Sequence, residues 1–152
     1  MRTRTRTARS VAALALAALL AGGCGGSSKP LTRAQYEQRT SAALRGLLDE
    51  MRQNLGAPGA LDGPVRHCAD KLARLKPPPA DARVHARLVD GLRGVADDLH
   101  DVASAGSITE AQRALDRLSS SPGGLEVEQA LRDLRARGYH LPTVFGVRGS
   151  SH

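Results

Sequence analysis

Residues 81–105 read DARVHARLVDGLRGVADDLHDVASA. Val84, Leu88, Leu92, Val95, Leu99 and Val102 recur in steps of four, four, three, four and three. Steps of three and four bring side chains back to one side of a helix, so these residues form a single apolar stripe. The stretch predicts the longest helix of the chain and the central one, its stripe turned to a core and its Asp-rich side to water. Asp81 at its start suits the positive end of the helix dipole. Gly91 and Gly94 sit inside it, each costing up to about 1 kcal/mol relative to Ala. Their use would be to let a neighbouring helix come close.

The flanking segments are built the same way. Upstream, 64–76 reads as a shorter helix. Pro64 suits its first position, and Val65, Cys68, Leu72 and Leu75 make a narrow stripe before Pro77-Pro78-Pro79 ends it. Further upstream, 31–55 is a strong helix. Thr32 and Gln35 form a capping box, and Leu31 with Tyr36 fits the accompanying hydrophobic staple. Tyr36, Thr40, Leu44, Leu47, Leu48, Met51 and Leu55 share one side of it, and Gly56 stops it. Downstream, Ser107 and Glu110 make a second capping box opening a helix over about 107–119, with Ile108, Ala111, Leu115 and Leu118 on its apolar side. Ser119 to Gly124 break the pattern. A fifth helix, 125–137, points Val127, Leu131 and Leu134 inward. Gly138 then serves as its terminating residue, with Tyr139 folding back on Leu134. In the tail, 140–152, Leu141, Val144, Phe145 and Val147 are candidates to dock on the helices. No run alternates as a strand would. The expected fold is all-α: a small up-down bundle of four to five helices over 31–139.

The N-terminus is a different kind of segment. Arg2, Arg4, Arg6 and Arg9 precede any acid, the first being Glu37. An apolar run, Val11 to Ala21, spans roughly 16 Å as a helix, well short of the roughly 30 Å hydrocarbon core of a bilayer. A basic head, a short apolar middle and small residues make a secretory signal. No two arginines are adjacent, which speaks against a twin-arginine signal. Export by the general route means crossing unfolded, and that argues against a cofactor loaded beforehand.

Ala21-Gly22-Gly23-Cys24 resembles the lipobox of bacterial lipoproteins, with Ala21 where Leu is commonest. The resemblance implies cleavage between Gly23 and Cys24 and a diacylglyceryl group on the Cys24 thiol. It implies a signal peptide over 1–23, a lipidated residue and flexible tether over 24–30, and residence on the outer face of the cell membrane. Several acyl chains hold a protein far more firmly than one. Leu31-Thr32-Arg33-Ala34-Gln35-Tyr36, Leu75-Lys76-Pro77-Pro78-Pro79 and Leu134-Arg135-Ala136-Arg137-Gly138-Tyr139 make the mature region similar to small helical lipoproteins of high-GC Gram-positive bacteria. Those are helix-boundary motifs. They imply a shape and bring no catalytic residues with them.

Composition narrows the functions. Of 22 basic residues four lie in the signal, leaving 18 against 15 acids, so the net charge falls from +7 to +3. A nucleic-acid partner is not expected from so mild a balance. With two Tyr, one Phe and no Trp, stacking platforms for single strands are missing and the core must be Leu, Val and Ala. If Cys24 carries lipid, Cys68 is alone and no disulfide can form within the chain.

Catalytic and cofactor motifs do not occur. Cys68 lies on its apolar stripe and reads as a buried structural residue, with a ligand or reactive thiol the alternative; His67 points about 100° away. His85 and His100 are 15 residues apart on one helix, and the five histidines read as surface or edge residues, with no metal-ligand spacing. Asp90, Asp97, Asp98 and Asp101 read as a solvated side, with Arg87–Asp90 and Arg93–Asp97 as pairs within the helix. Arg113, Arg117, Arg132, Arg135 and Arg137 could make a basic side. The expected function is a non-enzymatic, cofactor-free bundle that binds an envelope protein or cell-wall polymer. The alternative is a small-ligand or metal binder using a groove between helices.

Overall fold

The computed structural model describes residues 29–54 and 60–144. The signal peptide, Gly23, Cys24, the start of the tether, Leu55, Gly56, Phe145 and Val147 lie outside the described residues. Within them the chain is all-helical: α1 (Arg33–Gln53), α2 (Asp62–Ala73), a 3-10 turn (Pro79–Asp81), α3 (Ala82–Ala103), α4 (Ile108–Ser119) and α5 (Pro122–Ala136).

The first capping box forms as the sequence predicts. Gln35 N–H donates to Thr32 Oγ1 at 3.3 Å, and Thr32 N–H donates to Gln35 Oε1 at 3.1 Å. The second is half of one. Glu110 N–H donates to Ser107 Oγ at 3.2 Å, but the Glu110 carboxylate reaches past Ser107 to Gly106 N–H at 2.9 Å. Helix α5 starts three residues before the sequence suggests. Pro122 lacks an N–H, and a helix's first turn has N–H groups to spare. Ser121 caps the turn by accepting from Gly124 N–H at 3.4 Å. At the other end Gly138 takes φ +83°. Gly138 N–H donates to Arg135 O at 2.8 Å and Tyr139 N–H to Leu134 O at 3.1 Å, the paired bonds of a Schellman ending.

Helix α3 is the hub, packed against α2, α4 and α5, while α1 packs on α2. Neighbours run antiparallel. Leu31 at the head of α1 bonds Lys76 beyond the tail of α2 at 2.8 Å. Asp62 at the head of α2 meets His100 near the end of α3. The head of α5 meets Asp98, and its end meets Asp81. The core is built on Leu44, Leu47, Leu72, Leu88, Leu92 and Leu134, with valines, alanines, Tyr36, Cys68, Leu131, Tyr139 and Leu141 packed among them. Gly91, Gly94 and Gly123 bring α3 and α5 to backbone contact. A Cβ on Gly91 would lie 2.9 Å from Gly123 O.

Three expectations are overturned. The apolar side of α4 is not core: Ile108 is 90% exposed and Leu115 46%, and Ala114 is the buried residue. Helix α4 packs on α3, with Ala114 buried and Arg117 paired to Asp101 of α3 at 3.5 Å. The expected ion pairs within α3 are replaced by bridges to its neighbours: Arg87 to Asp133 of α5 at 2.8 Å, Asp97 to Arg66 of α2 at 2.9 Å. Arg93 turns back to Asp90 at 3.6 Å. His85, expected at the surface, is 6% exposed.

Candidate functional site

The heads of α1 and α3 and the ends of α2 and α5 meet at one end of the bundle, and the polar side chains that are buried there form a network. Tyr36 from α1 is wholly buried and its hydroxyl lies 3.0 Å from His85 Nδ1. The backbone of Leu72 faces the same imidazole. Read as the Nε2–H tautomer, the ring donates to the Leu72 backbone and accepts from Tyr36 through Nδ1. Both rings meet edge to face with centroids 5.5 Å apart, and Tyr139 meets Tyr36 in the same way.

Asp81 anchors the other half. It sits just before α3 yet makes no side-chain cap. Instead Oδ2 accepts from Tyr139 Oη at 2.5 Å and Oδ1 from Arg137 Nη1 at 2.9 Å. Arg137 also donates to Ala80 O at 2.6 Å. Arg33 donates to Arg137 O and lies over the Tyr139 ring, its Cζ 4.8 Å from the centroid.

Burial pushes the Tyr36 phenol up to about 12, opposed by Thr40 and reinforced by Asp81 and Tyr139. Burial, then the bond to Asp81, raises Tyr139 to about 12. Both hydroxyls therefore stay protonated and donate. Burial lowers the His85 pKa, so the ring is held neutral. The Tyr36–His85 pair has the composition of an activated nucleophile and base, but neither group is open to solvent. Thr40 Oγ1, also buried, faces the Tyr36 hydroxyl without reaching good hydrogen-bond geometry to it.

This network fastens residues 139–144. His140 N–H donates to Glu37 Oε1 at 3.2 Å, and His140 O accepts from Ser41 Oγ at 3.2 Å. Arg135 donates to Leu141 O at 3.3 Å and to Pro142 O at 2.8 Å. Peptide groups with no ladder of their own are thus satisfied by side chains of α1 and α5. Leu141 and Val144 enter the core. Beside this segment runs an open groove of about 490 Å³, lined by Arg45, Arg135 and residues 138–142.

The other sequence candidates are separate. Cys68 is buried, its Sγ 3.6 Å from Ala43 O, and burial raises its thiol to about 11. Its place on the apolar stripe is therefore in the core, as the spacing predicts. His67 is exposed. His100 pairs with Asp62 at 3.2 Å. Asp98 accepts from Ser121, and Asp101 pairs with Arg117. Of the five arginines that could make a basic side, Arg117, Arg132, Arg135 and Arg137 each bind a different partner within the fold. Among the described residues no cluster of His, Cys, Asp or Glu is arranged to hold a metal ion. Nor is any helix among them long and apolar enough to cross a membrane.

Fold and network together define a small all-helical bundle closed by a C-terminal strap. The chain matches no family model, no curated protein and no solved structure.

Proposed function

We propose that this chain is a membrane-anchored extracytoplasmic lipoprotein. Its signal peptide, 1–23, is removed, Cys24 carries the lipid, and an up-down bundle without catalytic activity binds an envelope protein or a cell-wall component. One observation carries the reading: four arginines before any acid, a short apolar run, and two glycines before Cys24. The bundle is compatible with it. Helix α1 begins only nine residues after Cys24, and a tether over 24–30 spans about 13 Å as a flexible chain. Mass spectrometry of the native product tests the anchor: a mature chain starting at acylated Cys24 is expected. Cys24→Ser should release the protein from membranes or leave it on an uncleaved signal. A mutant that is still mature, acylated and detergent-requiring overturns the assignment. The binding function is tested by cross-linking on intact cells, where a reproducible envelope partner is expected and its absence at every condition counts against it.

A second reading, a small-ligand binder, draws on the groove along residues 138–142, where Arg45 has no partner among the described residues. Ligand at 100 times its Kd stabilises a fold by about 2.7 kcal/mol. A thermal-shift screen with small carboxylates, phosphates and divalent metals tests it, and a flat screen removes it for those ligands.

A further inference from the structure

Charge is unevenly distributed along the bundle. The end where α1 and α3 begin comprises residues 29–37, 71–76, 81–87 and 133–139, which hold nine Lys or Arg against three acids. The opposite end comprises 49–54, 60–66, 97–103 and 108–126, which hold nine acids against four Lys or Arg. The sequence order hides this, because each helix in turn contributes to both ends. Folding sums the contributions into a molecule with a positive pole and a negative pole.

The basic pole is not consumed by internal pairing. Arg33, Arg87, Arg135 and Arg137 are occupied within the fold. Lys29, Lys71, Arg74, Lys76 and Arg83 are exposed, and none has a partner among the described residues. All five belong to segments at the end where the N-terminal segment joins the bundle, and Leu31 N–H bonds the carbonyl of Lys76 itself; we call them the basic collar.

From these two observations we infer that the basic collar docks on an anionic lipid surface and holds the bundle upright, acidic pole outward. The inference rests on the lipid-anchor reading for its geometry. Residues 24–30 are short, so the pole that faces the bilayer is the one the tether leaves from. Lys and Arg within a Debye length of an anionic bilayer strengthen binding by about fivefold each at physiological salt. The negative pole, bearing Asp97, Asp98 and Asp101, is repelled by the same surface. Attraction at one end and repulsion at the other give an orientation, which a lipid anchor by itself does not.

The test uses the full chain on vesicles of phosphatidylcholine alone or with about 30% phosphatidylglycerol. A donor dye is placed at Ala80→Cys, on the exposed corner inside the collar, and in a second sample at Thr109→Cys near the acidic pole. The acceptor is on the lipid headgroups. Transfer from position 80 is expected to rise at least about twofold on the anionic vesicles, while transfer from position 109 does not rise. The rise at position 80 should vanish in about 1 M NaCl and in K71E/R74E/K76E/R83E. Those four side chains are exposed and unpaired, so melting should be unchanged; should it not be, K71Q/R74Q/K76Q/R83Q takes the same role. Equal transfer on both lipids, an equal rise at both positions, or a rise that survives the charge changes overturns the inference. The mass of Cys24 is read on the same samples. An acylated Cys24 with no lipid-dependent transfer removes the docked face and keeps the anchor. An unmodified Cys24 with the transfer intact removes the anchor and keeps the face.

Discussion

His85 sets a pH dependence by itself. In an unfolded chain a histidine takes up a proton near pH 6.5. In the bundle, burial lowers that value, opposed by the hydrogen bond to the Leu72 backbone. The unfolded state then binds more protons, so stability rises with pH across this window. The contribution is fully present above about pH 6.5 and is lost as pH falls toward the lower folded value. The melting temperature should fall between about pH 7 and 5 more steeply in the wild type than in His85→Gln, which keeps an acceptor for Tyr36. Parallel curves would refute it. Tyr139→Phe tests the other half of the network. It strips Asp81 of one donor but leaves Arg137, and should cost about 1–3 kcal/mol in a urea titration. How far this was legible in sequence differs residue by residue. The burial of Cys68 was legible because it lies on a stripe. His85 lies on one too, three residues before Leu88 and seven before Leu92, but its polarity outweighed its position. Asp81 was read as a dipole partner, and its real partners are 56 and 58 residues away. No local pattern announces those.

At the scale of elements, the helices themselves were plain in the sequence, because apolar spacing and capping boxes are local. The mutual orientation of faces was not. Helix α4 has the apolar stripe that α3 has, yet only α3 is surrounded. The glycines sort by the same logic. Gly91 and Gly123 meet backbone atoms of the other helix, and a Cβ on Gly123 would lie 2.8 Å from Gly91 O and 2.9 Å from Val95 N. Backbone cannot step aside as a side-chain tip can. Gly91→Ala or Gly123→Ala should therefore destabilise by about 1–3 kcal/mol through overpacking, despite a better helix propensity. Gly46, inside α1, has nothing within 4 Å of a Cβ. Gly46→Ala should stabilise by up to about 1 kcal/mol. The two changes are chemically the same, so opposite signs in thermal melting isolate the contact between α3 and α5. Equal signs would mean that the contact is looser than described.

Across the whole molecule, the fold depends on a segment with no regular structure of its own. Tyr139, Leu141 and Val144 fill the core after the last helix has ended. Burying side chains of this size contributes about 1.5–3 kcal/mol each, so three together are worth roughly 4.5–9 kcal/mol. A domain of this size is stable by about 5–15 kcal/mol in all. A chain stopped after Gly138 loses that burial, takes the Tyr139 donor from Asp81, and leaves Glu37, Ser41 and Arg135 without their bonds to the strap. It should melt without a cooperative transition, or more than about 10 °C below the full chain. Leu141→Ala, which removes one contact and keeps every hydrogen bond of the strap, should cost only about 2–3 kcal/mol and retain cooperativity. The graded pair separates apolar filling from fastening. If the truncated chain melts within a few degrees of the full one, then residues 139–144 merely rest on a bundle that is complete without them. If truncation and Leu141→Ala cost the same, Tyr139 and its bond to Asp81 contribute nothing, and the buried polar network is a passenger in the fold.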